Sequence, residues 1–320
     1  MAGRQIAMKV DKSLVRNVAD HCGVVLLYHG LFEEVPSELG GEFHNTTPEF
    51  LFRQLELLSQ FFRFVSIDEF AAADDPRGLA AVTADDGYRG ILDRGLKVFE
   101  ALGIPAALFL NRAIFEGGVF WRDKVRAIIT TDQVGDFEQK FKDKFVTQPN
   151  QSFYRYTKDP KNNSIEVVNA IDEFLSERGD VQNSSGYYLK SPQELVAHPL
   201  ISYGSHSVNH YVMSSLSTDQ QWREIEDNRR FLKQFENVQK SDIFSVPFGG
   251  DQDYNNLTCD MAIQSGHTGL LLSRNRLQKS KKSERQKISL SIERMMSRAT
   301  DMQSLVTHLS ETAERTWVVD

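Results

Sequence analysis

Residues 79–110 read LAAVTADDGYRGILDRGLKVFEALGIPAALFL, and this stretch sets the fold class. Leu79–Thr83 is a short apolar run of the kind that forms a buried strand. Tyr88–Leu102 is amphipathic and stops at Gly103, a natural helix C-cap because glycine takes the left-handed conformation without a Cβ clash. Ile104–Leu110 is strand-like again. The same rhythm extends in both directions. Upstream, Val24–Tyr28 (VVLLY) is an apolar run ending at His29-Gly30, and Thr47–Phe62 reads as a helix, with Thr46 and Glu49 at capping-box spacing and Pro48 in its first turn. Downstream, Ser191 and Glu194 cap a short helix that begins at Pro192, Leu200–Gly204 is strand-like, and Ser217–Glu236 is a long polar helix. Ile243–Val246, Thr268–Ser273 and Lys287–Leu290 read as strands, Asn256–Ser265 as a helix closed by Gly266, and Met302–Thr312 as a last helix. Alternating strands and helices imply a parallel sheet or a β/α barrel.

Residues from about 116 to 186 break the rhythm. They are polar and aromatic with helical stretches such as Ile165–Arg178, and read as a mostly helical insertion between strands, where functional loops are usually grown. The rest reads as one domain over 20–315, with 1–19 as an N-terminal extension.

The 320 residues carry a formal net charge of −7, which argues against a polyanionic partner such as nucleic acid. The basic run Lys279–Arg285 is short and reads as a solvated loop. Two cysteines, Cys22 and Cys259, without a CxxC pattern exclude a disulfide framework and a thiolate zinc site. No apolar stretch approaches the ~20 residues of a membrane span, and Met1–Asp20 lacks the apolar core of a signal peptide, so a cytoplasmic location is expected. Oligomeric state is not legible.

Chemistry-bearing residues fall at strand ends, where the sites of parallel barrels gather. Thr83-Ala84-Asp85-Asp86-Gly87 places two adjacent carboxylates after an apolar strand, costly unless something cationic holds them; the plain alternative is a turn and helix N-cap. Ser205-His206-Ser207-Val208-Asn209-His210 offers two imidazoles four residues apart, which share a face if the segment is helical. Two histidines and one carboxylate suit a catalytic zinc site and equally a non-haem iron site. Val246-Pro247-Phe248-Gly249 gives a rigid bend whose backbone N–H groups suit an oxyanion, or is a simple turn. His29, directly after a buried strand, is a candidate general acid or a core histidine.

Taken together and in this order, the four segments resemble the polysaccharide deacetylases, carbohydrate esterases with a chitooligosaccharide-deacetylase homology domain. Thr83–Gly87 stands for the family's T-F-D-D-G, His206–His210 for its H-[ST]-x-x-H, and Ser245-Val246-Pro247-Phe248 for its R-x-P-[YF]. The resemblance runs from about Val24 to Met296 and implies a distorted, seven-stranded (β/α) barrel. It implies a divalent metal, usually Zn2+, on Asp86, His206 and His210, with Asp85 as base and the Phe248 N–H as an oxyanion donor. The late Leu-x-His motif that supplies the acid has no counterpart, since His308 sits in a helical pattern. His29 resembles the acid of a subgroup acting on biofilm exopolysaccharides. The arginine that opens the third motif is replaced by Ser245, and Arg294 resembles a late arginine that compensates. Tyr88, Trp121, Pro247 and Tyr211 are candidate substrate contacts, with Trp121-Arg122-Asp123, which opens the insertion, as the wall of a sugar site. The expected activity is metal-dependent removal of N-acetyl groups from an amino sugar or glycan, releasing acetate. The rival readings are a deacylase or deformylase of a non-polymeric amide or sugar precursor, a catalytically weak glycan-binding member, and an iron oxygenase.

Overall fold

A computed structural model of the chain describes residues 10–40, 43–117, 119–146, 150–179, 184–280 and 291–318. The chain begins with α1 (Lys12–His21), β1 (Val24–Tyr28) and a small parallel pair, β2 (Gly30–Leu31) and β3 (Asn45–Thr46). Next come α2 (Pro48–Leu58), β4 (Arg63–Phe64), α3 (Ile67–Ala72), β5 (Leu79–Ala84), α4 (Leu96–Leu102) and β6 (Ala106–Leu110). Four helices follow, α5 (Trp121–Thr130), α6 (Val134–Lys140), α7 (Phe153–Tyr156) and α8 (Ser164–Arg178). The chain ends with β7 (Ile201–Ser205), α9 (Thr218–Lys233), β8 (Gln239–Ser245), α10 (Asn256–Gln264), β9 (Gly269–Leu272), β10 (Ser291–Glu293) and α11 (Met302–Val318).

Seven strands pair side by side in the order β1-β5-β6-β7-β8-β9-β10, every pair parallel, with β4 hung on β5. The ends of this order meet just past β10, where Leu27 donates to the Met295 carbonyl and Met295 donates to that of Val25. The result is a nearly closed seven-stranded (β/α) barrel, as the resemblance implies. β1, β6 and β9 are buried along their whole length, which is why they read as unbroken apolar runs.

Side-chain alternation along these strands explains where the site forms. Val25, Ala81, Ala107, Phe109, Ile243, Leu271 and Ile292 come from six different strands and share one cluster, the barrel interior. Ile67 and Phe70 of α3 join it, and Asp68 bonds Ser241 near the start of β8, so α3 plugs the N-terminal mouth. Two or four residues further along the same inward-facing rows stand His29, Asp85, Ser245, Ser273 and Arg294, at the opposite mouth.

Several boundaries differ from the sequence reading. The cap of α2 is Thr47, whose hydroxyl accepts from the Phe50 N–H, and not Thr46. The boundary drawn at residue 20 falls inside α1, whose Val15, Val18 and Ala19 belong to the main core. The helix expected from Tyr88 begins as a five-residue π-helical turn, Ile91–Gly95, and ends as expected at left-handed Gly103. The strand expected at Lys287–Leu290 lies outside the described residues; β10 follows it. Between β6 and β7, α5–α8 pack around their own core, built on Phe137, Phe141, Phe153 and Phe174 and touching Tyr211 and Phe248 of the barrel loops. Among the described residues, no helix is long and apolar enough to cross a membrane.

Candidate metal centre and active site

Asp85 and Asp86 leave β5 in opposite senses. Asp85 continues the inward-facing row. Asp86 turns aside because its backbone is left-handed (φ 70), followed by Gly87 (φ 76). Gly87 is needed on two counts: a Cβ there would sit 2.4 Å from Ile114 Cδ1 and strain a positive φ.

His206 and His210 do not share a helix face, correcting that expectation. The segment is an irregular loop in which Ser207 (φ 65) and His210 (φ 60) are left-handed. Both rings nevertheless face Asp86: His206 Nε2 lies 3.4 Å and His210 Nε2 3.5 Å from Asp86 Oδ1. One ligand atom from each of the three residues falls within 4.8 Å of the others, and all three residues are buried.

The donor chemistry fits a divalent cation. His206 Nδ1 lies 2.8 Å from the Ser245 carbonyl, which only accepts; Nδ1 therefore carries the proton and Nε2 offers its lone pair to the centre. His206 Nε2 and Asp86 Oδ1 are buried without a hydrogen-bond partner, a costly state for polar atoms that an ion would relieve. Burial holds the His210 imidazole down to about 3 despite Asp86, so it is a neutral ligand at neutral pH. Burial pushes His206 the same way, but Asp85 and Asp86 outweigh it and leave it above its ordinary range.

Asp85 is clamped. Arg294 Nη1 donates to Oδ1 at 2.9 Å, Nη2 sits 2.8 Å from Oδ2, and the Ser245 hydroxyl donates to Oδ2 at 3.1 Å. Arg294 is itself held by the Leu272 carbonyl and the Ser273 hydroxyl. Burial pushes the Asp85 carboxyl up, but Arg294 and His206 more than offset it, so the group stays ionised. His29 reaches the centre from β1, its Nε2 3.9 Å from Asp86 Oδ2. Its other nitrogen, Nδ1, meets His44 Nδ1 at 3.1 Å, and His44 Nε2 lies 3.0 Å from the Ser297 carbonyl.

Phe248 occupies a left-handed conformation (φ 61) inside a tight turn closed by Gly249 N–H donating to Pro247 O at 2.7 Å. For the Phe248 N–H no acceptor is found among the described residues. Asp86, Ser207, His210 and Phe248 are four of the seven non-glycine residues with positive φ among those described, so backbone strain concentrates at this centre.

The candidate sugar contacts are rearranged. Tyr88 is fully buried, its hydroxyl bonded to Tyr188, and has no ring face to offer a sugar. Trp121 is 4% exposed and is no open wall either; its indole N–H donates to the His210 carbonyl at 3.1 Å and so props the ligand loop. Pro247 is buried in the turn, and Tyr211 lines a neighbouring cavity of about 340 Å³. The cavity over the metal centre is about 270 Å³ and is lined in part by Phe43, Phe120, Arg122, Tyr154, Lys158 and Phe248. Arg122 falls in the expected Trp121-Arg122-Asp123 wall. His44, Tyr154 and Lys158 were missed in the sequence, and no spacing marks them.

Residues 181–270 match the family described as polysaccharide deacetylase. That stretch holds His206, His210 and the Ser245–Phe248 turn; Asp85, Asp86 and Arg294 lie outside it. No curated protein matches the sequence. Among solved structures, the Streptococcus pyogenes deacetylase PplD, in complex with acetate, superposes with a TM-score of 0.54 at 14% identity, covering 90% of this chain and 98% of that one. The de-N-acetylase from Aggregatibacter actinomycetemcomitans gives 0.51 at 13%, covering 89% and 98%. IcaB from Ammonifex degensii gives 0.51 at 14%, covering 91% and 97%. Residues 181–270 are thus similar to the polysaccharide deacetylases, and the chain as a whole shares the fold of these three structures.

Proposed function

We propose that the chain is a metal-dependent carbohydrate N-deacetylase, hydrolysing the N-acetyl amide of an amino sugar or glycan to acetate and free amine. The observation that carries this reading is the buried convergence of Asp86, His206 and His210 beside an ionised, arginine-clamped Asp85. A divalent ion on those three residues, zinc in this proposal, would lower the pKa of its water towards neutrality and polarise the acyl carbonyl.

The chain's own residues supply the rest. Asp85 takes the proton of the attacking water, and Arg294 and Ser245 keep its two oxygens oriented. The Phe248 N–H, held by the strained turn, donates to the oxygen that gains negative charge. His29 delivers a proton from Nε2 to the departing nitrogen, since an amine anion does not leave unaided; each such proton transfer is worth roughly 10²–10⁴-fold in rate. His44 fixes the direction of that proton. Its Nε2–H is committed to the Ser297 carbonyl, so its Nδ1 accepts from His29 Nδ1–H and His29 Nε2 faces the centre. His29 acts as acid in its imidazolium form, with protons on both nitrogens, and is left as the neutral Nδ1–H tautomer once Nε2 has given up its proton.

The test is metal content of the purified protein followed by acetate release from a panel of N-acetylated sugars. Asp85→Asn is expected to retain the ion and lose turnover by roughly 10²–10⁴-fold, whereas His206→Ala loses both. Wild-type turnover in Asp85→Asn, or acetate release indifferent to chelators, would overturn the assignment.

A further inference from the structure

We infer that the substrate carries an anionic group, a phosphate or a carboxylate, beside its N-acyl sugar, and that Lys158 in the insertion binds it; the inference rests on the deacetylase reading above. The cavity over the metal centre is lined by more positive charge than its acids can match. Asp85 is committed to Arg294, and Asp86 to the two histidines. Arg126 is met by Asp123 at 2.5 Å.

Arg122 has no such partner. It is 1% exposed, its guanidinium stacks 4.4 Å from the Trp121 ring and 4.1 Å from that of Tyr154, and it donates to the Thr157 hydroxyl and the Tyr154 carbonyl, with the Tyr154 phenol and the Asp123 carboxylate within its field. Its Nε is buried without a hydrogen-bond partner. A desolvated guanidinium with no carboxylate at ion-pair distance is costly and favours an anion brought near it. Lys158 places its ammonium 4.8 Å over the Phe248 ring, and the same ring packs on His210 at 4.5 Å. The lysine therefore shares an aromatic neighbour with a metal ligand; Asp253 feels its charge, but among the described residues no carboxylate reaches ion-pair distance of it.

The local field is visible on Tyr154. Burial pushes its phenol up, yet Arg122, Arg126 and Lys158 together hold it below its ordinary value. This patch is set against a chain whose net charge is −7, so it is a feature of the cavity and not of the surface at large. A neutral glycan would fill the cavity and leave these cations dehydrated and unpaired; an anionic substituent would meet them with charge-assisted hydrogen bonds. At about 270 Å³ the cavity suits one sugar unit with its substituent.

The experiment measures acetate release by the metal-loaded full chain from three substrates: N-acetylglucosamine 1-phosphate, a disaccharide of N-acetylglucosamine and a uronic acid, and the neutral N-acetylglucosamine dimer. At least one charged substrate is expected to exceed the neutral one about tenfold in kcat/KM, mainly through KM. The two charged arms separate phosphate from carboxylate. Lys158→Gln is expected to abolish the preference, and Lys158→Arg to keep most of it. Equal use of all three, or a preference that survives Lys158→Gln, overturns the inference while the deacetylase reading stands. If no substrate releases acetate, that reading fails. Calorimetric titration of the same protein with the two charged sugars then decides the anion site alone: Lys158-dependent binding upholds it, and its absence overturns it.

Discussion

Asp85 and Asp86 are covalent neighbours with opposite duties, and the strand period separates them. Asp85 is the last inward residue of β5's row and meets Arg294, which reaches it from just past β10 across β1, whereas the left-handed turn swings Asp86 towards the histidines. The carboxylate pair and the two histidines were legible because a run of apolar residues ending in such groups is chemically odd. Arg294 was legible only as compensation for Ser245, and the structure gives the reason: both residues bond the same carboxylate. Arg294→Gln leaves a buried carboxylate without its countercharge, so unfolding measurements should show a loss of about 3–5 kcal/mol. Arg294→Lys restores the charge but not the fork, and should recover stability better than turnover. His44 carried no signal in the sequence, because its meaning lies in a contact with His29 and with Ser297, far along the chain. His44→Ala frees the His29 ring to turn and is expected to lower kcat about tenfold with metal content unchanged. An unaltered kcat would remove His44 from the mechanism.

At the scale of elements, the strands were easy to read and the loops that hold the ligands were not. β1, β6 and β9 are buried on both faces and appear as plain apolar runs. The His206–His210 spacing is right for a helix, but the chain uses two left-handed non-glycine residues instead, a choice that only tertiary contacts enforce. Those contacts are specific. Trp121 from α5 holds the His210 carbonyl, Ser207 Oγ accepts from the His210 N–H, and Glu224 of α9 accepts from the Asn209 N–H. Trp121→Phe removes the first while keeping most of the apolar bulk; metal affinity should fall about tenfold, read by competition with a chelator, with little change in thermal stability. Gly87→Ala acts on the other ligand. Its Cβ meets Ile114 and its φ of 76 costs about 1–2 kcal/mol, so stability and metal affinity should fall together. A Gly87→Ala protein with wild-type affinity would show that the turn does not set the position of Asp86.

For the molecule as a whole, the sequence shows that a barrel forms but not how its two mouths differ. Closure depends on one residue past β10, Met295, exchanging two backbone bonds with β1, and nothing in the apolar pattern marks that residue. The insertion was visible as a break in rhythm, while its cations acquire meaning only once α5–α8 fold against the mouth. Buried histidines give the protein its pH response. Burial lowers His44 and His210 to about 3 and His267 to about 4 in the folded chain, against an unfolded value near 6.5. Between about pH 6.5 and 4 the unfolded chain therefore binds more protons at these three positions, and stability falls as pH falls. His206 acts in the opposite sense: its raised value stabilises below about 6.5 and that contribution is lost as pH rises through it, but it is one histidine against five, since His29 and His308 are lowered as well. The carboxylates Asp85 and Asp86, both lowered, lose their contribution only further into acid. The metal-free protein should accordingly show a lower urea midpoint at about pH 5 than at about pH 7.5. Zinc should raise the midpoint by mass action and steepen the dependence, because protons compete with the ion for His206 and His210. A metal-free midpoint that is flat or higher in acid would mean that these histidines are already hydrated in the folded protein.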